Sequence, residues 1–227
     1  LDGHYDEGLH SIDYLIYALL QTGRDAAASK VLGELAAIEK PNEYSFKTAF
    51  TYASSPARYV IERKAWSEAA GLEIAPISFP WAEFPWAQAI THFARGLGAA
   101  KTGDIAAAEA EAAEIARLEA SLSSSTLPYW REQVGVQKEL VMSAILFAND
   151  RREEALTLAA AAADREDAVD KHPVTPGEVA PAREFYAQML LDAGRPKEAL
   201  EQFAAAPGVG QGHANPGLTG ARRVHQR

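Results

Sequence analysis

Residues 181 to 207, PAREFYAQMLLDAGRPKEALEQFAAAP, read as a helical hairpin. Phe185, Ala187, Met189 and Leu190 make a first helix that is apolar on more than one side, and Gly194 interrupts it. From Lys197 to Ala206 a helical period resumes, with Ala199, Leu200, Phe203 and Ala206 on one face. A turn glycine followed five residues later by an alanine is the pattern to look for in the rest of the chain.

That pattern recurs, each time after an apolar helix. The first unit has Ile12, Leu15, Ile16 and Leu19, the turn Thr22-Gly23-Arg24, then Ala28, Leu32 and Leu35, closed by Pro41. In the second, Lys64 stands in place of the turn glycine, with Trp66 and Ala69 after it, and Pro56 behind Ser54-Ser55 is expected to start a short helix. The third runs from about Pro85 through Gly96 to Thr102-Gly103-Asp104, then Ala108, Ala112 and Ile115. The fourth takes Leu127 to Phe147 as a long first helix, Asn149-Asp150 as the turn, then Ala155, Leu158, Ala159 and Ala162. The alanines at 28, 69, 108, 155 and 199 are 41, 39, 47 and 44 residues apart. Two insertions, Ile74 to Phe84 and the KHPVTPG of Lys171 to Gly177, carry prolines and are expected not to be helical. The first helices of units one, four and five are expected to be buried on two sides, and the second helices to be amphipathic.

This arrangement resembles the tetratricopeptide repeat, a helix-turn-helix unit of roughly 34 residues. Ala187, Leu190, Gly194, Ala199, Phe203, Ala206 and Pro207 fall where that motif places small, large, turn, small, aromatic, small and proline. The segments HSIDYLIYALLQTGRDA, FPWAQAITHFARGLGAA and KHPVTPGEVAPARE are similar to parts of a divergent bacterial group of such proteins. The resemblance implies an all-α, right-handed α-solenoid of about five antiparallel helix pairs over residues 1–206, with one face of the first helices lining a concave groove. Residues 207–227, rich in glycine and free of acidic residues, are expected to be a disordered tail or a docked arm.

Composition narrows the function. At 227 residues and 48% apolar, the chain can bury a substantial core, and stacked repeats are not limited by a single one. A net charge of -9 argues against nucleic acid as the main partner, since binding phosphates needs a basic surface. Absence of cysteine removes disulfides and thiolate chemistry and leaves the compartment open between cytoplasm and periplasm. No apolar run is long enough for a membrane span. A start at Leu1 without a basic and apolar leader is what a processed chain or a fragment would show.

No catalytic motif is present, and Gly208, Gly210 and Gly212 precede no helix. Glu109, Glu111, Glu114 and Glu119 are expected on a solvated helix face, and Phe79, Trp81, Phe84 and Trp86 to pack an insertion onto the core rather than form a ligand cage. In the frame set by Gly23, His10, Asp13, Tyr14 and Tyr17 share one side of the first helix. The same frame gives Thr51 and Arg58, Gln137, and Glu184 and Gln188; unit three breaks it with Ile90, Phe93 and Leu97, offering Gln88, His92 and Arg95 one step around. His4, His10, His92, His172 and Asp13 have the atom types of a metal or acid-base site without the spacing of one, so neither metal nor cofactor is expected. The expected function is a protein- or peptide-binding scaffold using the concave groove. The competing reading is a small-ligand or metal-dependent enzyme that would gather His10, Asp13, His92 and Arg95 into one pocket. The sequence names neither partner nor oligomeric state.

Overall fold

The computed structural model describes residues 5–122, 127–170, 172 and 174–206. Among them the chain is all helical, with ten α-helices and one 3-10 turn. In chain order these are α1 (Asp6–Gln21), α2 (Asp25–Ala36), α3 (Phe46–Glu62), α4 (Trp66–Ala70), α5 (Pro85–Thr102), α6 (Ile105–Ser121), α7 (Pro128–Ala148), α8 (Arg152–Asp167), α9 (Ala182–Asp192) and α10 (Pro196–Ala205). Among the described residues no helix is long and apolar enough to cross a membrane. The reading of residues 207–227 lies outside the described residues.

The turns explain why the helices pair. Gly23, Lys64, Gly103, Asp150 and Gly194 all have positive φ, between 54° and 87°. In each turn the next residue's N–H reaches back five residues, as from Arg24 to the Leu19 carbonyl and from Arg195 to the Leu190 carbonyl, both 2.8 Å. This is the Schellman closure, which satisfies helix-end carbonyls and reverses the chain. Five residues after each left-handed position comes an alanine with no exposed surface: Ala28, Ala69, Ala108, Ala155 and Ala199. A methyl is all that fits where the returning helix meets its partner.

The pairs follow one another in space. α1 packs on α3, α3 on α5 and α5 on α7, while α4, α6 and α8 pack on the first helix of the next pair. Burial tracks the number of neighbours. α3 and α5, each between two other first helices, are covered almost all round from Thr48 to Arg58 and from Trp86 to Ala100. Among the described helices α1 packs mainly on α2 and α3 and buries a single stripe, Leu9, Asp13, Ile16, Leu19 and Leu20. The expected two-sided burial of α1 is therefore wrong, and Leu15 is 47% exposed.

Other expectations also change. Pro56 does not start a helix: it sits inside α3, which continues from Phe46 to Glu62. Burial of this helix between its neighbours holds it through the missing N–H, and Pro56 borders a cavity of about 240 Å³ whose other wall includes Leu32, Leu35 and Ala36 of α2. Leu200 is 70% exposed, and Leu156, not Leu158, fills the buried position on α8. The insertion at 74–84 contains a 3-10 turn, Trp81–Glu83, and a cis bond before Pro76. Its aromatic residues do pack inward, with Phe79, Trp81 and Trp86 buried and Trp86 stacked on Trp130 at 3.9 Å between ring centres.

Candidate functional site: a face covered by the chain itself

The connection from α8 to α9 crosses the side of α1, α3, α5 and α7 on which the polar stripe was expected. The Tyr14 hydroxyl donates to the Val174 carbonyl at 2.9 Å. The Arg58 guanidinium donates to the carbonyls of Glu178 and Gly177, both at 3.0 Å. His172 lies against Trp130, Tyr129 and Phe46, with ring centres 5.2, 5.3 and 5.4 Å away. Thr175, Gly177, Glu178 and Val179 close a small cavity of about 20 Å³ over Phe50, Ile90, Gln133 and Gln137. Burial holds the His172 imidazole below its ordinary value, which favours the neutral ring.

The fold delivers Arg58 to this place because α3 is sandwiched, so its guanidinium can only point along the interface. The residue is 1% exposed, and a charge that deep needs partners. Two carbonyls supply them, the Tyr17 ring lies 5.3 Å from the guanidinium carbon, and Asp13 adds an opposite charge. Asp13 is itself buried, its Oδ1 accepting from Ser54 Oγ at 2.9 Å and Ser55 Oγ at 3.2 Å. Burial pushes the Asp13 carboxyl up from its ordinary value, with Arg58 and the two hydroxyls opposing in part. Burial also pushes the Tyr17 phenol up. Thr51 ties the same interface by donating to the Leu9 carbonyl at 3.3 Å.

The predicted residues thus separate into three neighbourhoods. Tyr14, Arg58 and Gln137 lie under or beside the 172–179 segment, Tyr17 stands against Arg58, Asp13 is held between α1 and α3 by Ser54 and Ser55, and His10 meets Tyr14 edge to face at 4.9 Å. Glu184 and Gln188 line a separate cavity of about 300 Å³, walled by Ile61, Trp66, Phe185, Met189 and Phe203. Its two sides are bridged by Lys64 to Gln188 at 3.0 Å and Lys101 to Asp192 at 3.2 Å. His92 and Arg95 turn to α6, where Glu111 binds both, each at 2.6 Å, so they do not join the covered face; Ile90 holds α5's place there. Glu111 is accordingly not the solvated residue expected, because His92 and Arg95 draw it across the α5–α6 interface. Gln88 is half-buried on α5 and lines neither cavity.

Among the described residues no three His, Asp or Glu side chains come together as a metal-binding set. His4 lies outside the described residues. Sequence reasoning missed Ser54 and Ser55 as partners of Asp13, Lys64 and Lys101 at the larger cavity, and the 172–179 segment as the cover of the stripe. The signal was present in the segment itself: two prolines, a glycine and no helical period, placed between two helices that need no long connection. Compared with known proteins, the chain matches no family model, and no curated protein or solved structure matches it.

Proposed function

We propose that the chain is a helical-repeat scaffold of the tetratricopeptide type, a right-handed solenoid of five antiparallel pairs, which binds an extended polypeptide on its concave inner face. The five matching turns and the five buried alanines support the repeat. The observation that carries the function is the use of Tyr14 and Arg58 to hold main-chain carbonyls at residues 174, 177 and 178. Donors aimed at carbonyls recognise a peptide backbone whatever its side chains, and pockets between them select the side chains. Glu184 and Gln188, beside the larger cavity, extend the same surface past the end of the segment. An acidic chain of this kind suits a protein partner rather than a phosphate backbone.

The test is to pan a random dodecapeptide library on the intact protein and to map the selected peptides by photocross-linking. A photoreactive residue would replace, one at a time, Tyr14 or Gln188 on the inner face and Lys30 or Glu109 on the outer helices. Cross-links from positions 14 and 188 are expected. Cross-links confined to positions 30 and 109, or no enrichment at all, would overturn the reading.

A further inference from the structure

We propose that residues 172–179 are a tethered stand-in for the partner, so that the partner is an extended, proline-bearing peptide with a planar side chain about seven residues ahead of a small aliphatic one, and that it binds by displacing this segment. The inference rests on the peptide-binding reading above and specifies the ligand that reading leaves open.

The segment is held as a ligand is held. It has no helix or strand of its own, and among the described residues no backbone-to-backbone hydrogen bond joins it to another element. Its main-chain anchors include the Tyr14 hydroxyl and the Arg58 guanidinium, which would donate to the carbonyls of any chain laid along the same path, and Tyr129, which hydrogen-bonds the backbone of His172. Among its side-chain anchors, His172 is seated among Trp130, Tyr129 and Phe46, and Val179 is buried against the core. Those positions define the planar and the aliphatic residue of the partner, and Pro176 between them favours an extended backbone.

The fit is incomplete. Gln137 Oε1, beside the 20 Å³ cavity under the segment, is buried with no protein donor, and Arg58 Nε is buried with no protein acceptor. A peptide that offered a donor to the first and an acceptor to the second would satisfy groups that the tethered segment leaves unmet. The segment can also leave without unfolding the helices that flank it. Glu166 on α8 caps α9 through the Ala182 N–H at 2.7 Å, and Arg183 binds Asp164 and Asp167, so α8 and α9 are joined independently of residues 174–178.

A tether presents its segment at an effective concentration of about millimolar, so a free peptide of equal intrinsic affinity competes poorly until it reaches that level. The experiment uses a labelled peptide with the sequence of residues 170–181, DKHPVTPGEVAP, and two proteins: the intact chain, and a variant whose residues 172–179 are replaced by glycine and serine at equal length. Binding at least tenfold tighter to the variant is expected. In the intact chain, hydrogen exchange at the amides of Val174, Thr175, Gly177 and Glu178 is expected to quicken when the free peptide is present at millimolar concentration. Equal affinity for both proteins, or no binding by the folded variant, overturns the proposal. Should the variant fail to fold, exchange in the intact chain decides, and unchanged rates overturn it. Library peptides that cross-link from position 14 but bind both proteins equally would remove the stand-in alone and leave the scaffold reading standing. The absence of any inner-face cross-link removes both.

Discussion

Gly98 on α5 lies so close to the carbonyl of Trp66 that a Cβ added to the glycine would stand 2.6 Å from that oxygen. The obstruction is backbone, since the Ala70 nitrogen would stand 2.4 Å and the Ala69 carbonyl carbon 2.9 Å from the same Cβ. Backbone cannot rotate aside as a side chain can, so Gly98→Ala is expected to cost about 3 kcal/mol or more, at the top of the overpacking range. Gly33, exposed on α2, has nothing within reach of a Cβ, and Gly33→Ala is expected to gain about 0.5 to 1 kcal/mol from helix propensity. Denaturant unfolding of the two variants checks both. A Gly98 variant as stable as the parent would mean that α4 does not sit where described.

At the α3–α4 turn a lysine holds a conformation that suits glycine. Lys64 has φ of 54°, which for an L-residue costs about 1 to 2 kcal/mol. Lys64→Gly relieves that strain and gives back part of it as unfolded-chain entropy, so a net gain of about 0.5 to 1 kcal/mol is expected. Losing the exposed bond to Gln188 subtracts little. A melting temperature that falls on substitution would show that Lys64 is kept for its contacts rather than tolerated in its turn.

The buried carboxylate makes stability depend on pH in a direction opposite to that of an ordinary paired aspartate. Because burial raises the Asp13 pKa on folding, the stability this group contributes is complete below the unfolded value and is lost as pH rises through the folded one. An amide in its place cannot ionise. The stability of Asp13→Asn relative to the parent is therefore expected to improve as pH rises above the ordinary carboxylate range, measured by denaturant unfolding at several pH values. Parallel curves would mean that Asp13 titrates as it does in the unfolded chain.

The sequence carried the turns and the alanines because each has a local cause: a left-handed residue ends one helix, and a methyl is all the next helix can place against it. What it could not carry is the neighbourhood of each helix. Leu15 and Leu200 share the apolar period of their helices, but α1 stands first and α10 last among the described helices, and no further helix covers those residues. Asp13 was legible as polar and on the right side of α1, yet its burial depends on Ser54 and Ser55, forty-one and forty-two positions away. Glu111 shows the same limit, since the alanines around it signal a solvated face and only the approach of α5 reveals His92 and Arg95. The KHPVTPG segment was recognised as non-helical, but nothing local says that its carbonyls end at Arg58.

The cross-ties from the fifth pair have a bearing on the length of the array. Arrays in which each unit touches only its neighbours can lengthen or shorten by duplication, because any unit is exchangeable with the next. Here the approach to α9 reaches Tyr14 and Arg58 of the first two pairs, and α9 itself reaches Lys64 and Lys101 of the second and third. One additional hairpin anywhere between them would carry Glu178 away from its guanidinium and Asp192 away from its ammonium. The bonds to Tyr14, Arg58, Lys64 and Lys101 thus fix how many helices can stand between α1 and α9 in this chain.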